Sequence, residues 1–196
     1  MYVLVINCGS SSIKADVIQT STGDRTVGVR VERVGAENCF ARWDGGQPQT
    51  LGEVDHAAAL GAILPGMLER APNGTVLAVG HRVVHGGDRF RDSARLDPDA
   101  IAAIEAVSEL APLHNPANLA GIYAAMTLLP DASHVAVFDT AFHSTLPPRA
   151  YTYAIPQELA KRHHIRRYGF HGTSHRWVAE RAAESAESGA KRAAGA

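Results

Sequence analysis

The chain has 196 residues, of which 45% are hydrophobic and 20% charged, with a formal net charge of -1. This length allows one large domain or two small ones, and the composition is that of an ordinary globular protein. The near-zero net charge gives no electrostatic basis for binding nucleic acid or an acidic membrane surface. No run approaches the roughly 20 apolar residues of a membrane span, and the N-terminus shows no secretory signal pattern. The two cysteines, Cys8 and Cys39, suit a reducing compartment, so we expect a cytoplasmic protein.

The first part of the chain predicts an antiparallel meander of strands. Tyr2 to Ile6 is a near-continuous apolar run, which is typical of a strand buried on both faces. Apolar and polar residues then alternate over residues 13–17 and 27–31, which predicts two more strands. Short segments around Gly45 and Gly46 indicate further hairpin structure to about residue 52.

Beyond this meander, predicted helices alternate with predicted strands. Helical spacing and capping residues predict helices at 57–70, 98–110, 118–128 and 174–185. Two further strands are predicted at 75–79 and 134–138. Asp97 is a candidate N-cap, with Pro98 in the first turn of its helix, and Thr173 or Ser174 could cap the last helix. Strands followed by strand–helix alternation predict an α/β fold, in which helices flank a mixed sheet that opens with antiparallel strands.

The stretch NCGSSSIK, residues 7–14, joins the first two predicted strands through a turn of small residues. It is not a Walker A loop, which needs two glycines with four residues between them and which opens a helix. The turn can still offer backbone N–H groups, serine hydroxyls and Lys14 to phosphate oxygens. The alternative is a serine-rich hairpin turn with an exposed lysine, and local chemistry leaves both interpretations open.

Three further stretches carry candidate ligand-binding residues. Arg82 in GHRVVHGG could bind a carboxylate or phosphate through two hydrogen bonds, or form an ordinary salt bridge. His114 in APLHNPAN either faces a ligand or donates a hydrogen bond at a helix junction. Asp139 ends a buried strand in VAVFDTAFHSTLP, where ligand and metal contacts gather in α/β sheets. A turn or helix-cap role for Asp139 is the alternative.

The stretch RRYGFHGTSH, residues 167–176, places His171 on a glycine-flanked turn before a helix. That position suits donation to an anion. His171 and His175 are four residues apart, but the Gly-Thr-Ser between them argues against a zinc pair on one helix. The chain also contains no HExxH, CxxC or GxSxG motif. Together the candidates indicate anion handling without a covalent serine or cysteine.

These stretches together resemble the acetate kinase family, part of the wider superfamily of acetate and sugar kinases, heat-shock chaperones and actin. The matches are VLVINCGSSSIK, GHRVVHGG, LAPLHNPANL, VAVFDTAFHSTLP, YAIP and RRYGFHGTSH, in family order from residue 3 to about 183. The resemblance implies a ribonuclease H-like, actin-like ATPase domain. It also implies reversible phosphoryl transfer from ATP to acetate, giving ADP and acetyl phosphate, with Mg²⁺ or Mn²⁺.

The resemblance further implies a role for each matching residue of the acid site. Asp139 and His171 are the implied catalytic residues, Arg82 holds the acetate carboxylate, and His114 supports the site. A small apolar pocket for the methyl group is implied at Val84, Leu113 and Phe170. Such a pocket discriminates by only about 1–3 kcal/mol per methylene, so propionate is an expected poorer substrate.

For the other substrate, the resemblance implies that Lys14, Ser10 and Ser12 lie beside the nucleotide phosphates and that Asn7 belongs to the metal site. The expected partners are therefore acetate and ATP.

The chain departs from the family in its length. We expect an N-terminal family domain at 1–183 and a low-complexity tail at 184–196, either a solvated helix extension or a frayed end, with the family's second domain absent. Family members form homodimers mainly through that second domain, so the dimer is not carried over. Alternative functions are a non-catalytic half-domain that binds acetate, phosphate or a partner chain, and a propionate or butyrate kinase.

Overall fold

A computed structural model of the chain describes residues 1–71 and 76–194. Its strands are β1 Tyr2–Cys8, β2 Ser12–Gln19, β3 Arg25–Glu32, β4 Phe40–Trp43, β5 Gln49–Thr50, β6 Val76–Val83, β7 Ala94–Arg95 and β8 Ser133–Phe138. Its helices are α1 His56–Arg70, α2 Pro98–Ala106, α3 Asn115–Leu128, α4 Pro148–Tyr151, α5 Gln157–Arg162 and α6 Gly172–Ala194. Thr75, predicted as part of a strand, and the last two residues of the predicted tail lie outside the described residues.

The strands form one mixed sheet in the order β5-β4-β3-β2-β1-β6-β8-β7. Strands β1 to β5 pair as the predicted antiparallel meander. Strands β1, β6 and β8 are parallel neighbours, so their C-terminal ends meet at one edge of the sheet. The prediction of an α/β fold with a mixed sheet and flanking helices is confirmed.

The sheet has one core face and one open face, and this division corrects the prediction for β1. Leu4 and Ile6 are 0% and 1% exposed and belong to the core that α1 and α3 cover. Val5, which points the other way, is 41% exposed. The prediction of burial on both faces was wrong because an apolar run does not reveal that its second face lines an open cleft.

Most helix boundaries agree with the predictions to within a turn. Asp97 caps α2 as predicted, its carboxylate accepting from the Ala100 N–H at 2.8 Å. Helix α2 then stops at Ala106 and is followed by a separate 3-10 turn, where one longer helix was predicted. Helix α3 begins three residues earlier than predicted.

The first turn of helix α6 contradicts the predicted cap, and its length is relevant to the predicted tail. Thr173 and Ser174 lie inside its first turn, so neither is the cap that the sequence indicated. The helix continues to Ala194, across the low-complexity segment. The domain boundary at residue 183 stays a prediction. Within the described part of the chain, no helix combines the length and apolar character needed to cross a bilayer.

Two buried asparagines at the start of α3 hold the ends of β1 and β6. Asn118 accepts from the Val84 N–H at 3.0 Å and donates to the Cys8 carbonyl at 2.6 Å. Asn115 pairs in both directions with the backbone of His85, at 3.1 Å each way. Because both asparagines are buried, these bonds fix where the two strands end.

We expect Asn118→Ala to lower the free energy of unfolding by about 2–4 kcal/mol, because a buried N–H and a buried carbonyl both lose their partner. The measurement is urea unfolding followed by circular dichroism. Thr127→Ala is the matched control on the same helix, since its exposed hydroxyl bonds only the Tyr123 carbonyl, and it should change stability by no more than about 0.5 kcal/mol. Equal effects of the two substitutions would contradict the role of Asn118.

Helix α3 approaches β1 closely at Gly121, where a methyl group would overlap the Cys8 sulfur. We expect Gly121→Ala to destabilise the protein by about 1–3 kcal/mol through overpacking. Gly61→Ala in α1 meets nothing within 4 Å and should instead stabilise by about 0.5–1 kcal/mol. Cys8→Ala should make Gly121→Ala less costly, which a double-mutant cycle measures. Stabilisation by Gly121→Ala alone would show that the close approach is absent.

Candidate active site

A cleft of about 880 Å³ lies on the open face of the sheet. Its lining includes five of the residues predicted for the site: Asn7, Lys14, Arg82, Asp139 and His171. The fold explains the gathering. Asn7 and Lys14 are direct partners across the β1–β2 hairpin, and β6 and β8 run side by side toward Arg82 and Asp139.

Arg82 is the centre of the hydrogen bonding in this cleft. Its Nε donates to both oxygens of Asp139, at 3.1 and 3.2 Å, and its Nη2 donates to Asp139 Oδ2. Its Nη1 donates to Asn7 Oδ1 at 3.2 Å. The side chain of Asp139 is only 2% exposed and that of Arg82 is 34% exposed. The guanidinium therefore compensates a carboxylate that is almost completely withdrawn from water.

The same geometry leaves Arg82 able to bind a further anion. A guanidinium has five N–H groups, and here Nε, Nη1 and Nη2 each use one. One N–H therefore remains on each terminal nitrogen. A carboxylate can accept hydrogen bonds from N–H groups on both terminal nitrogens of a guanidinium. An added carboxylate does not require the pair with Asp139 to break.

His171 stands at the rim of the cleft, immediately before α6. Its Nδ1 is 3.8 Å from Asp139 Oδ2, and its side chain is 72% exposed. The next residue, Gly172, donates its backbone N–H to the Asp139 carbonyl at 2.9 Å, and a methyl group there would overlap that carbonyl. His171 itself has a φ of 57°, a left-handed conformation uncommon for a residue with a side chain. Such conformations cluster at functional sites, where surrounding contacts enforce them.

The wall of the cleft beside Arg82 contains a buried histidine that sequence reasoning missed. His81 Nε2 lies 3.0 Å from His134 Nδ1, and His134 Nε2 lies 3.0 Å from the Leu129 carbonyl. A carbonyl only accepts, so His134 donates from Nε2 and receives a hydrogen bond from His81. Burial, with the neighbouring His134, lowers the pKa of His81 to about 3. His81 is thus neutral near pH 7 and adds no charge beside Arg82.

The other residues predicted for the acid site do not join the cleft lining in the described structure. Val84 is buried, and its backbone N–H is held by Asn118. Leu113 and Phe170 are 75% and 45% exposed. His114 is exposed at the N-terminal end of α3 and makes no side-chain cap there. The methyl pocket and the supporting role of His114 stay predictions.

The serines of the β1–β2 turn also lie away from the cleft. Ser10 is exposed, and Ser12 lines a separate hollow of about 310 Å³ that it shares with Lys14 and Arg30. The turn itself is a hairpin closed by the Gly9 N–H bonding to the Ser12 carbonyl at 2.8 Å. Its contact with nucleotide phosphates stays a prediction.

Sequence reasoning also missed Asn115, Asn118, Asp16 and Arg30. The two asparagines lie close to His114 in LAPLHNPANL, and their burial, which the sequence does not show, was the missing signal. Asp16 and Arg30 line the cleft. Strand alternation places both on the face of Lys14, and that pattern was available from the sequence once the strands were assigned.

The oxygen donors for a divalent cation beside Arg82 are Asn7 and Asp139, whereas Asp16, the other carboxylate of the cleft, is paired with Arg25. Among the residues that the structure describes, no group of three or more His, Cys, Asp or Glu side chains is arranged to hold a metal. Mg²⁺ is usually held by one or two carboxylates together with substrate phosphates. One carboxylate and one amide oxygen therefore fit an ion whose coordination is completed by substrate and water.

Comparison with known proteins identifies the family of the chain. The model of the Acetokinase family matches residues 2–193. Acetate kinase of Pseudomonas aeruginosa (strain LESB58) is 52% identical over 187 residues, covering 94% of this chain and 47% of that protein. Acetate kinase of Thermotoga maritima is 51% identical over 193 residues, covering 94% of this chain and 48% of that protein.

Solved structures give the same result. A propionate kinase from Francisella tularensis superposes with a TM-score of 0.91 at 39% identity, covering 95% of this chain and 49% of that one. Acetate kinase of Porphyromonas gingivalis superposes with a TM-score of 0.84 at 41% identity, covering 95% and 49%. The chain spans about half the length of the curated relatives it matches. On motif, fold and sequence identity together, the chain belongs to the acetokinase family.

Proposed function

We propose that this chain carries the acid-binding and catalytic part of a kinase that transfers a phosphoryl group reversibly from ATP to acetate. One observation carries the proposal: the Arg82 guanidinium is held by Asp139 and Asn7 while one N–H on each terminal nitrogen is left over. The names of the relatives support the same chemistry, since those compared above at 52% and 51% identity are acetate kinases.

In the proposed reaction, a carboxylate oxygen of acetate attacks the γ-phosphorus of ATP. An oxygen–phosphorus bond forms, the bond to the bridging oxygen of ADP breaks, and acetyl phosphate and ADP result. Phosphoryl transfer of this kind depends on positioning and charge neutralisation more than on covalent help from the protein. Arg82 would hold and orient the attacking carboxylate, and Asp139 would hold Arg82.

His171 and the residues of the β1–β2 hairpin would act on the phosphoryl group. The exposed His171 ring at the cleft rim is placed to donate to oxygens whose negative charge grows in the transition state. Lys14, on β2 of this hairpin, would contribute a positive charge beside the phosphates. Mg²⁺ or Mn²⁺, held by Asn7 and Asp139, would neutralise phosphate charge when bound. We place the enzyme in the cytoplasm, where the buried free thiols of Cys8 and Cys39 stay reduced.

We expect Arg82→Lys to weaken acetate binding by about 10- to 100-fold, because lysine keeps the charge but loses the two-pronged hydrogen bonding. Binding is measured by NMR titration of ¹³C-acetate on the chain. Turnover is measured by hydroxylamine trapping of acetyl phosphate, for the chain alone and mixed with the C-terminal half of the Thermotoga maritima acetate kinase.

Arg176→Ala on α6 is the control, since that exposed arginine pairs with Glu180 on the surface. It should leave acetate affinity unchanged. An Arg82→Lys protein that folds and binds acetate as the unmodified chain does would remove Arg82 from the carboxylate site and contradict the proposal.

A second candidate function is a propionate kinase, because the Francisella tularensis structure with a TM-score of 0.91 bears that name. The predicted pocket residues Leu113 and Phe170 are 75% and 45% exposed. These exposures therefore favour neither acetate nor a longer acid.

With acetate as the proposed substrate, we expect kcat/KM to fall by about 10- to 200-fold for each added methylene, in the order acetate, propionate, butyrate. The measurement is the same trapping assay on the mixed halves, with each acid varied at saturating ATP. A kcat/KM for propionate above that for acetate would favour the second candidate.

A further inference from the structure

Three cations form a straight row across the open face of the sheet. Lys14 on β2 pairs directly with Arg30 on β3, and Arg30 pairs directly with Arg42 on β4. Direct cross-strand partners point to the same face of a sheet, with Cβ atoms about 4.5–5.5 Å apart. All three side chains are exposed. Their neighbours along the strands, such as Ile13, Val31 and Ala41, point into the core instead.

This row is energetically unfavourable for the protein by itself. Like charges directly opposite each other on neighbouring strands destabilise a sheet. Among the side chains that the structure describes, none forms an ion pair with Lys14, Arg30 or Arg42. A nearby acid, Asp16, is already bonded to Arg25 at 3.1 Å. Glu32 is the other acid on this face of β2 and β3. Its single negative charge does not balance the three cations, so the row keeps a net positive charge.

The row begins at the candidate active site and leads away from it. Asn7, which accepts a hydrogen bond from Arg82, is the direct cross-strand partner of Lys14. From Lys14 to Arg42 the row crosses two strand spacings, which is about 10 Å. Lys14 and Arg30 line both the large cleft and the adjoining hollow of about 310 Å³. A single small anion would reach one or two of these cations, whereas an extended anion would contact all three.

We propose that Lys14, Arg30 and Arg42 form a binding track for a phosphate chain that runs from the active site toward β4. The shared chemistry is a linear chain of phosphates, either inorganic oligophosphate or the phosphate tail of a nucleotide. The proposal deepens the proposed function and rests on it for the identity of the site where the track begins. Arg30 and Arg42 are its new members.

The experiment measures binding to the unmodified chain by calorimetry at low ionic strength, using orthophosphate, pyrophosphate, tripolyphosphate and ATP. Affinity should rise with phosphate chain length. Arg30→Gln and Arg42→Gln should each weaken tripolyphosphate binding by about fivefold, the size expected for one exposed ion pair at low salt. Glu32→Gln should strengthen it, because the acid on the same face is removed.

Arg95→Gln is the matched control. Arg95 is an exposed arginine on the edge strand at the opposite end of the sheet, so its loss changes net charge equally without touching the track. Thermal unfolding confirms that each variant is folded. Affinity that does not depend on phosphate chain length, or an equal loss in Arg95→Gln, overturns the proposal.

The ATP arm identifies the source of the phosphate chain. Parallel losses for ATP and tripolyphosphate in Arg30→Gln support a nucleotide tail, and a loss for tripolyphosphate alone supports an inorganic chain. The readout is binding without turnover. Absent phosphate-chain binding with intact acetate binding overturns only the track, whereas acetate binding that is unchanged by Arg82→Lys overturns only the proposed kinase function.

Discussion

The ion pair between Arg82 and Asp139 joins the ends of two parallel strands, and the candidate site is built around it. A carboxylate with 2% exposure would be strongly destabilising without a charged partner. Arg82 meets that requirement with the N–H groups of Nε and Nη2, and a third N–H, on Nη1, reaches Asn7 on the neighbouring strand. The Asp139 backbone N–H also bonds the Val83 carbonyl at 3.0 Å, so the pair is fixed through the main chain too. A side chain has to be held in a defined position before it can contribute to a reaction.

The two faces of the sheet have different surroundings. One face is covered by α1 and α3 and makes the core, in which Leu4, Ile13 and Val31 are 0% exposed. The other carries the polar side chains of the cleft, which alternate with these core residues along the same strands. The buried asparagines of α3 reach from the helical layer to the strand ends. Packing on the first face thereby sets the position of residues on the second.

The chain belongs to the acetokinase family and spans about half the length of the curated relatives it matches. One side of the sheet carries a half-buried arginine, the buried acid paired with it, an exposed rim histidine and a row of exposed cations. Positively charged groups that face an open cleft are accessible to a nucleotide or to another phosphate chain.

The sequence determined the strands of the meander, the mixed α/β sheet and the family. Period-two alternation and long motifs are local properties, so a reader of the chain can see them without coordinates. Local pattern also indicated Arg82, Asp139 and His171 as candidate site residues. It could not show that β1 has an open face, because an apolar run has the same composition whether it meets a helix or a cleft.

Only the tertiary structure decided which partners these residues have. The bonds from Arg82 to Asn7 and Asp139 span 75 and 57 residues of chain, and those of Asn118 to Cys8 span 110. The row of Lys14, Arg30 and Arg42 likewise depends on strand register, which each hairpin sets through its turn and its core face. Contacts so distant in sequence leave no periodic trace, and they exist only once the sheet is assembled.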